Sequence, residues 1–202
     1  MDIEIRRGIP DDAQQAVPLV LSAAEPLLTS IFGNGDTQET IAFLTHAWRF
    51  GQGQYGCDNH WITIVNGTVA GVVTAWHTKL GAVFDRASLD SVTSFYSLDD
   101  AITVLMRNQA YSLGLSPPAT NELMLGHVAV SSDMRRTGIG RALIEFIHDH
   151  AIQLKKQTLV LDVQLSNISA IRFYQSLNFI EHAINGPFVR FVRPVSFRHS
   201  AG

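Results

Sequence analysis

The stretch that decides the fold reads Val128-Ala129-Val130-Ser131-Ser132-Asp133-Met134-Arg135-Arg136-Thr137-Gly138-Ile139-Gly140-Arg141. The apolar end of a strand is followed by a polar loop, and two glycines then open a helix. A helix start leaves about four backbone N–H groups unpaired and carries the positive end of the helix dipole. Glycines there let a phosphate approach the backbone closely. Because three arginines surround this point, the stretch predicts a pyrophosphate site.

Three kinds of anion-binding loop compete for this pattern. A P-loop needs a Gly-x-x-x-x-Gly-Lys-Ser/Thr run, which is absent. A dinucleotide-binding turn needs Gly-x-Gly-x-x-Gly with an acid about 20 residues further on, and the spacing here differs. The pattern that remains is Arg/Gln-x-x-Gly-x-Gly/Ala, which Arg135, Gly138 and Gly140 satisfy.

The segments after this loop continue an α/β pattern. Apolar residues at helical spacing predict a helix over 138–154. The nearly all-apolar run 159–163 is typical of a strand covered on both faces. A strand over 123–130 precedes the loop. A short helix over 169–177 and two closing strands over 179–182 and 188–195 complete this half.

The first half of the chain predicts a strand, helices and a hairpin. A strand begins the chain at Ile3, and helices are expected over 13–22, 37–50 and 97–113. The dipeptide Asn66-Gly67 predicts a tight turn joining strands 60–65 and 69–77, because both turn positions need a positive φ. The rest of 79–121 gives no clear pattern. With no repeat and no linker in the sequence, we expect a single domain over residues 1–202.

From Glu122 to His182 the chain resembles the GNAT acetyltransferase superfamily in order as well as content. The resemblance rests on the strand ending at Val130, the Arg135–Gly140 loop and its helix, and the apolar strand that follows. It continues through Asn167, Ala170, Phe173-Tyr174 and Leu177-Asn178-Phe179. Family members usually have glycine where Asn178 stands, and asparagine tolerates the same left-handed helix cap.

The resemblance implies a mixed, largely antiparallel central sheet flanked by helices and splayed at the acetyl-CoA site. It implies that acetyl-CoA is the cosubstrate, with no metal. Backbone amides of the loop would hold the pyrophosphate, the strand before it would pair with the pantetheine arm, and an amide near Val130 would polarise the acetyl carbonyl. The residues it assigns to acetyl-CoA are Val128, Ala129, Val130, Arg135, Arg136, Thr137, Gly138, Ile139, Gly140, Arg141, Asn167 and Tyr174. Asn167 could equally be a helix N-cap.

The implied reaction is acetyl transfer to a primary amine by direct attack. Tyr174 is the candidate general acid for the departing thiolate, because a phenol of pKa about 10 can protonate it. The base that deprotonates the amine stays open among Glu122, His127 and a water chain. Tyr174 could instead simply pack, Glu122 could be solvated, and His127 could be a core residue.

The acceptor is expected at the N-terminal helices and the 51–60 loop. Aromatic candidates for its walls are Trp48, Phe50, Tyr55, Trp61 and Trp76, and acidic candidates are Asp36, Glu39 and Asp58. They leave small-molecule amines and peptide amines open. Three other functions also stay open: a non-catalytic acyl-CoA-binding or sensor domain, a transferase of longer acyl chains, and a protein N-terminal or lysine acetyltransferase.

Composition narrows the partners. Hydrophobic residues make up 46% of the 202 residues and the net charge is -3, which disfavours nucleic acid and anionic membranes as partners. Cys57 is the single cysteine, so no intramolecular disulfide can form. Without a signal-like N-terminus or an apolar run of about 18 residues, we expect a cytoplasmic protein. A homodimer using residues 79–121 is left open.

Overall fold

The computed structural model describes residues 3–195, which form seven strands and seven α-helices in that range. The strands are β1 Ile3–Arg7, β2 His60–Val65, β3 Thr68–Trp76, β4 Glu122–Val130, β5 Thr158–Gln164, β6 Ile180–Asn185 and β7 Phe188–Pro194. The helices are α1 Ala13–Ala23, α2 Glu25–Phe32, α3 Thr37–Phe50, α4 Gly81–Thr93, α5 Leu98–Tyr111, α6 Ile139–Gln153 and α7 Ile168–Ser176.

The strands form one mixed sheet in the order β1-β2-β3-β4-β5-β7-β6. The β1–β2, β2–β3, β5–β7 and β6–β7 pairs are antiparallel, whereas β4 and β5 are parallel. The expected α/β class, with a largely antiparallel sheet and flanking helices, is confirmed.

The parallel pair at the centre of the sheet is short. Its ladder joins Glu122–Met124 to Thr158–Val160, although both strands continue beyond that point. From Gly126 to Val130 the residues of β4 are half-buried, whereas Leu123–Leu125 are buried. The ladder with β5 therefore covers the first three residues of β4, and the splay at the acetyl-CoA site stays a prediction.

The chain forms two compact units, and each unit combines three separate stretches of the sequence. The first unit contains residues 3–74, 80–113 and 127–143. Its core lies among α1, α2 and α3 and holds the fully buried Phe43 and Trp48. The ring of Phe43 stacks on Phe32 at 4.3 Å, and the indole N–H of Trp48 donates to the carbonyl of Ile9.

Local signals explain most elements of the first unit. The carboxylate of Asp36 accepts from the backbone N–H groups of Gln38 and Glu39, and this N-cap fixes the start of α3 where it was expected. Asn66 and Gly67 have φ values of 51° and 77°, as the predicted tight turn between β2 and β3 requires.

Three helices of this unit depart from expectation. Helix α2, Glu25–Phe32, was not expected. Helix α5 begins one residue after the expected start, with Ser97 as its N-cap, and ends two residues early. It leaves Leu98, Ile102 and Met106 exposed on one side. Helix α4 was not expected, and no side chain caps its start.

The second unit contains residues 75–79, 114–126 and 144–195. Four elements begin and end within one or two residues of the expected positions: β5, β7, α7 and α6, most of which lies in this unit. Strand β6 differs, since it ends at Asn185 instead of His182. Asn178 has a φ of 63°, so the expected left-handed cap after α7 is confirmed. Inside the unit Arg190 pairs with Asp162 at 2.8 Å, and both side chains are nearly buried.

Among the described residues, no helix on its own has both the length and the apolar character of a membrane span. Only when two neighbouring helical segments are taken together are both the length and the apolar character sufficient. These segments are Pro10–Ala23 and Glu25–Phe32, and they are bent by 105° relative to each other.

Candidate active site

The arginine-rich loop connects the end of β4 to the start of α6 in the first unit. Its backbone turns twice into the left-handed region, at Arg136 with φ 65° and at Gly138 with φ 95°. A short 3-10 turn, Ser132–Met134, precedes these two residues. Left-handed residues next to a helix start direct successive N–H groups to one side, which is a common way of holding an anion.

The surface of this loop is open to a ligand. Arg135, Arg136 and Arg141 are exposed, as is Gly138. A Cβ added to Gly138 would meet no atom within 4 Å, so the glycine is needed for its φ and leaves free space above the backbone. Together the exposed cations, the helix start and the free space fit a phosphate group.

Contacts within the first unit fix the loop at both ends. The N–H of Ser131 donates to the carbonyl of Ala70 at 2.9 Å, which holds the end of β4 against β3. The hydroxyl of Thr137 donates to the carbonyl of Met134 at 2.7 Å.

Gly71 of β3 lets the first turns of helix α6 pack closely against this strand. A Cβ there would lie 3.0 Å from Leu143 and 3.1 Å from Ile139. Gly71 could not be predicted from the sequence, because its role depends on which helix packs over β3.

His127, a candidate base, lies near the middle of β4 and has a φ of 47°. The ring of Tyr55 stacks on it at 5.1 Å with an interplanar angle of 28°. Nδ1 of His127 lies 3.4 Å from Nε2 of His60, a buried residue that begins β2. The structure therefore brings together three residues: His127, a predicted base; Tyr55, a predicted wall of the acceptor site; and His60, which the sequence does not single out.

Both imidazoles are held neutral. Burial, with a smaller contribution from the neighbouring His60, lowers the pKa of His127 from 6.5 to about 3. Burial also lowers the pKa of His60 to about 4, against a hydrogen bond to the carbonyl of Gly56 that raises it. At neutral pH each ring therefore has one N–H donor and one bare nitrogen that accepts.

Glu122, the other candidate base, has a structural role at the paired end of β4. Its carboxylate accepts from the backbone N–H of Ala119 at 2.7 Å and closes the turn before the strand. Its backbone lies opposite Thr158 of β5. Catalysis by Glu122 stays a prediction.

Asn167 and Tyr174 lie on α7 in the second unit. The side-chain oxygen of Asn167 accepts from the N–H of Ala170 at 3.0 Å, so Asn167 is the N-cap of that helix. Tyr174 is buried and packs against Phe179 and Phe191. Burial raises the pKa of its phenol, so the hydroxyl keeps its proton at physiological pH. Contacts of either residue with acetyl-CoA stay predictions.

Three of the expected acceptor residues also have structural partners. Trp48 is a core residue and Asp36 caps α3. The ring of Trp61 lies 3.7 Å below the guanidinium of Arg7. Tyr55, half-buried beside His127, is the aromatic candidate that the structure places next to a candidate catalytic group.

Comparison with known proteins identifies the family. Residues 36–179 match the model of the acetyltransferase (GNAT) family, so the chain belongs to that family. Members of the family use acetyl-CoA.

One curated relative is the [ribosomal protein bS18]-alanine N-acetyltransferase of Escherichia coli K12, which is 42% identical over 64 residues. That match spans 32% of this chain and 43% of the relative, which is less than half of each.

Solved structures agree on the fold. An N-acetyltransferase from Staphylococcus aureus Mu50 superposes with a TM-score of 0.73 at 12% identity, covering 94% of this chain and all of that one. The PaiA N-acetyltransferase of Thermoplasma acidophilum, solved in complex with coenzyme A, gives 0.57 at 11% identity and covers 96% of this chain and 99% of its own. At these identities the likeness establishes the fold.

Proposed function

We propose that this protein is an N-acetyltransferase that moves the acetyl group of acetyl-CoA to a primary amine by direct attack. The observation that carries the proposal is the Arg135–Arg141 loop. It combines two left-handed residues, three exposed arginines and a helix start at Ile139.

The loop suits a pyrophosphate for electrostatic and geometric reasons. Backbone N–H groups at the start of α6 and the positive end of its dipole favour an anion there. The space above Gly138 lets a phosphate approach the backbone. The three exposed arginines add long-range attraction in a chain whose net charge is -3.

The half-buried end of β4 supports the proposed place of the pantetheine arm. Val128 and Val130 lie beyond the ladder that joins β4 to β5, so in the proposal their backbone pairs with the arm in the manner of a strand. An N–H near Val130 then polarises the acetyl carbonyl as negative charge develops on its oxygen. In the proposal, Asn167 also contacts the pantetheine arm or another part of CoA, in addition to capping α7.

In the proposed reaction the amine attacks the carbonyl carbon of the thioester, and the C–S bond breaks as the N–C bond forms. Tyr174 donates its proton to the departing sulfur. Because burial raises the pKa of Tyr174, its phenol is protonated before the reaction, which supports a role as proton donor. The same burial disfavours a phenolate that persists after the proton is donated. The base is Glu122, His127 or a water molecule.

The acceptor is a small-molecule or peptide amine. The relatives named as ribosomal-protein alanine N-acetyltransferases support a peptide N-terminal amine as the first class to examine. Lysine side chains are the second. A cytoplasmic location, a homodimer and the absence of nucleic acid and membrane partners stay predictions of the sequence.

Amine-dependent release of free thiol from acetyl-CoA tests the proposal. The panel contains a polyamine, free amino acids, a peptide beginning with alanine and an N-terminally blocked peptide with one lysine. Release that requires both the protein and one amine supports the proposal. Binding of acetyl-CoA with no release on any amine would instead favour a sensor domain, and no binding at all would refute both.

A further inference from the structure

His127 adopts a backbone conformation that a strand does not normally contain. Among residues 3–195, the other non-glycine residues with positive φ lie in turns or at element ends, whereas His127 lies inside β4. Such residues cost about 1–3 kcal/mol and persist where the surroundings hold them in place, often at functional sites. We therefore expect neighbouring side chains to hold the ring of His127 in place.

The ring of His60 supplies the first of these contacts. The two ring planes differ by 8°, and their centroids lie 5.6 Å apart, while Nε2 of His60 and Nδ1 of His127 are 3.4 Å apart. The centroid separation exceeds the N···N distance by about two ring radii, so the rings lie edge to edge in nearly one plane. This is the arrangement of a hydrogen bond between rings and not of face-to-face stacking.

A backbone carbonyl fixes the direction of that hydrogen bond. Nδ1 of His60 lies 2.8 Å from the carbonyl oxygen of Gly56, which can only accept. Nδ1 of His60 therefore has the proton, and Nε2 of the same neutral ring is bare. The bond between the rings must then run from Nδ1–H of His127 to Nε2 of His60, which leaves Nε2 of His127 without a proton.

We infer that His60 is a positioning residue that holds His127 in the tautomer with a bare Nε2, and that this nitrogen takes the proton of the acceptor amine. The inference rests on the proposed acetyl transfer and resolves its open choice of base. Tyr55, stacked on the ring of His127, keeps that ring in the same plane. The ring of Trp48, 5.0 Å away, packs against His60.

Burial keeps both rings neutral, and the positive charge of Arg7 adds to this effect at His60. Tyr55 faces His127 as a neutral phenol, because burial raises its pKa. Arg7 opposes a positive charge on His60, and Asp58 in turn acts on Arg7. The pKa of His127, lowered to about 3, makes it a weak base toward a free ammonium. The amine must therefore arrive neutral, and its N–H becomes acidic only as the new bond forms.

The proton balance follows from this order. The neutral amine forms its N–C bond to the acetyl carbon while the C–S bond breaks, and the N–H proton passes to Nε2 of His127. The sulfur takes a proton from the acid of the proposed mechanism. Solvent returns the proton from the imidazolium to that acid, so that amide and free thiol are the net products.

Two substitutions of His60 separate positioning from simple packing. His60→Phe retains a ring beside Trp48 but removes the acceptor for Nδ1–H of His127. His60→Gln loses the ring but retains an acceptor oxygen. We expect His60→Phe and His127→Asn to lower kcat/KM about 10²-fold or more, within the 10²–10⁴ that general bases contribute, and His60→Gln to recover most of the loss. His46→Gln, which changes a histidine bonded to Ser94, is the control and should keep wild-type kcat/KM.

Nitrogen NMR of the ligand-free protein tests the tautomer without any assay of activity. In histidine-labelled wild-type protein, the resonances that disappear in His127→Asn should show a protonated Nδ1 and a bare Nε2. His60→Phe should remove this preference, and His60→Gln should keep it. A protonated Nε2 on His127 in the wild type would overturn the inference whether or not the protein transfers acetyl groups.

The two failures are therefore distinguishable. If wild-type protein transfers acetyl groups and His127→Asn has unchanged kcat/KM, the inference is wrong and the proposed function stands. If His60→Gln is as impaired as His60→Phe while its NMR tautomer is retained, positioning through the hydrogen bond is also refuted. Absence of acetyl-CoA binding refutes the proposed function, and the NMR measurement still decides the arrangement of the two rings.

Discussion

Replacing Gly138 with alanine perturbs the proposed phosphate site at a single atom. The residue has a φ of 95°, and an added Cβ would meet no protein atom within 4 Å. Protein packing therefore does not oppose the methyl group. The cost is conformational, about 1–2 kcal/mol for a non-glycine residue in the left-handed region. The methyl group also occupies the space through which a phosphate would reach the backbone.

This cost converts into a weaker affinity for coenzyme A. If the mutant loop relaxes in the free protein, binding must restore the left-handed residue, and about 1–2 kcal/mol raises the Kd about 5- to 30-fold. If the loop keeps its shape, the methyl group still hinders the phosphate. Calorimetric titration with coenzyme A measures the change. Pantetheine, which has no phosphate, should bind Gly138→Ala and wild type equally.

Gly35→Ala is the matched control. Gly35 has the same φ of 95° and likewise no atom within 4 Å of an added Cβ, but it lies in the loop between α2 and α3. Both variants should show a similar conformational strain in thermal unfolding, and Gly138→Ala alone should lose affinity. An unchanged Kd in Gly138→Ala, or an equal loss in Gly35→Ala, would refute the assignment of the phosphate site.

Three further predictions concern the acid, a buried ion pair and the histidine pair. Tyr174→Phe should lower kcat about 10²-fold or more and leave the Kd of coenzyme A nearly unchanged, because it removes only the proton donor; unchanged steady-state kcat on an accepted amine would exclude Tyr174 as the acid. Arg190→Met should lower the free energy of unfolding by about 3–5 kcal/mol, since it leaves the Asp162 carboxylate buried without its partner, and adding Asp162→Leu should recover most of this in urea titrations. Burial lowers the pKa of His60 from 6.5 to about 4, so the unfolded chain binds the proton more readily: stability is full above pH 6.5 and falls as the pH drops toward 4. Wild type should lose about 2 kcal/mol more than His60→Phe between pH 7 and 4.5, and equal losses would contradict this origin.

Features that depend on a few neighbouring residues were predictable from the sequence. Asn66-Gly67 forms its tight turn and Asn178 caps α7 in the left-handed conformation, because these conformations are decided by the residue itself and its immediate neighbours. The α3 start follows in the same way from Asp36.

Helix α4 was missed for a local reason. Its start at Gly81 has no side-chain cap, and glycine is a poor helix former. Along the helix, Val83 and Leu89 are exposed, so its apolar residues do not form one buried stripe.

The histidine pair could not be predicted because it depends on the arrangement of distant strands. His60 and His127 are 67 residues apart, and their contact requires both the β2–β3 register and the left-handed turn inside β4. Glu122 illustrates the same limit. A carboxylate that opens a strand appears free in the sequence, and only the fold shows that it accepts from Ala119.

The proposed function requires that this protein transfer an acetyl group from acetyl-CoA to an amine. The most direct test uses a peptide that begins with alanine, incubated with the protein and with acetyl-CoA that is deuterated in its acetyl group. Mass spectrometry then shows whether the peptide has gained the label. We expect one labelled acetyl group on the N-terminal amine, or on another amine of the panel, and none when the protein is omitted. Tight binding of acetyl-CoA with no labelled product on any amine would contradict it.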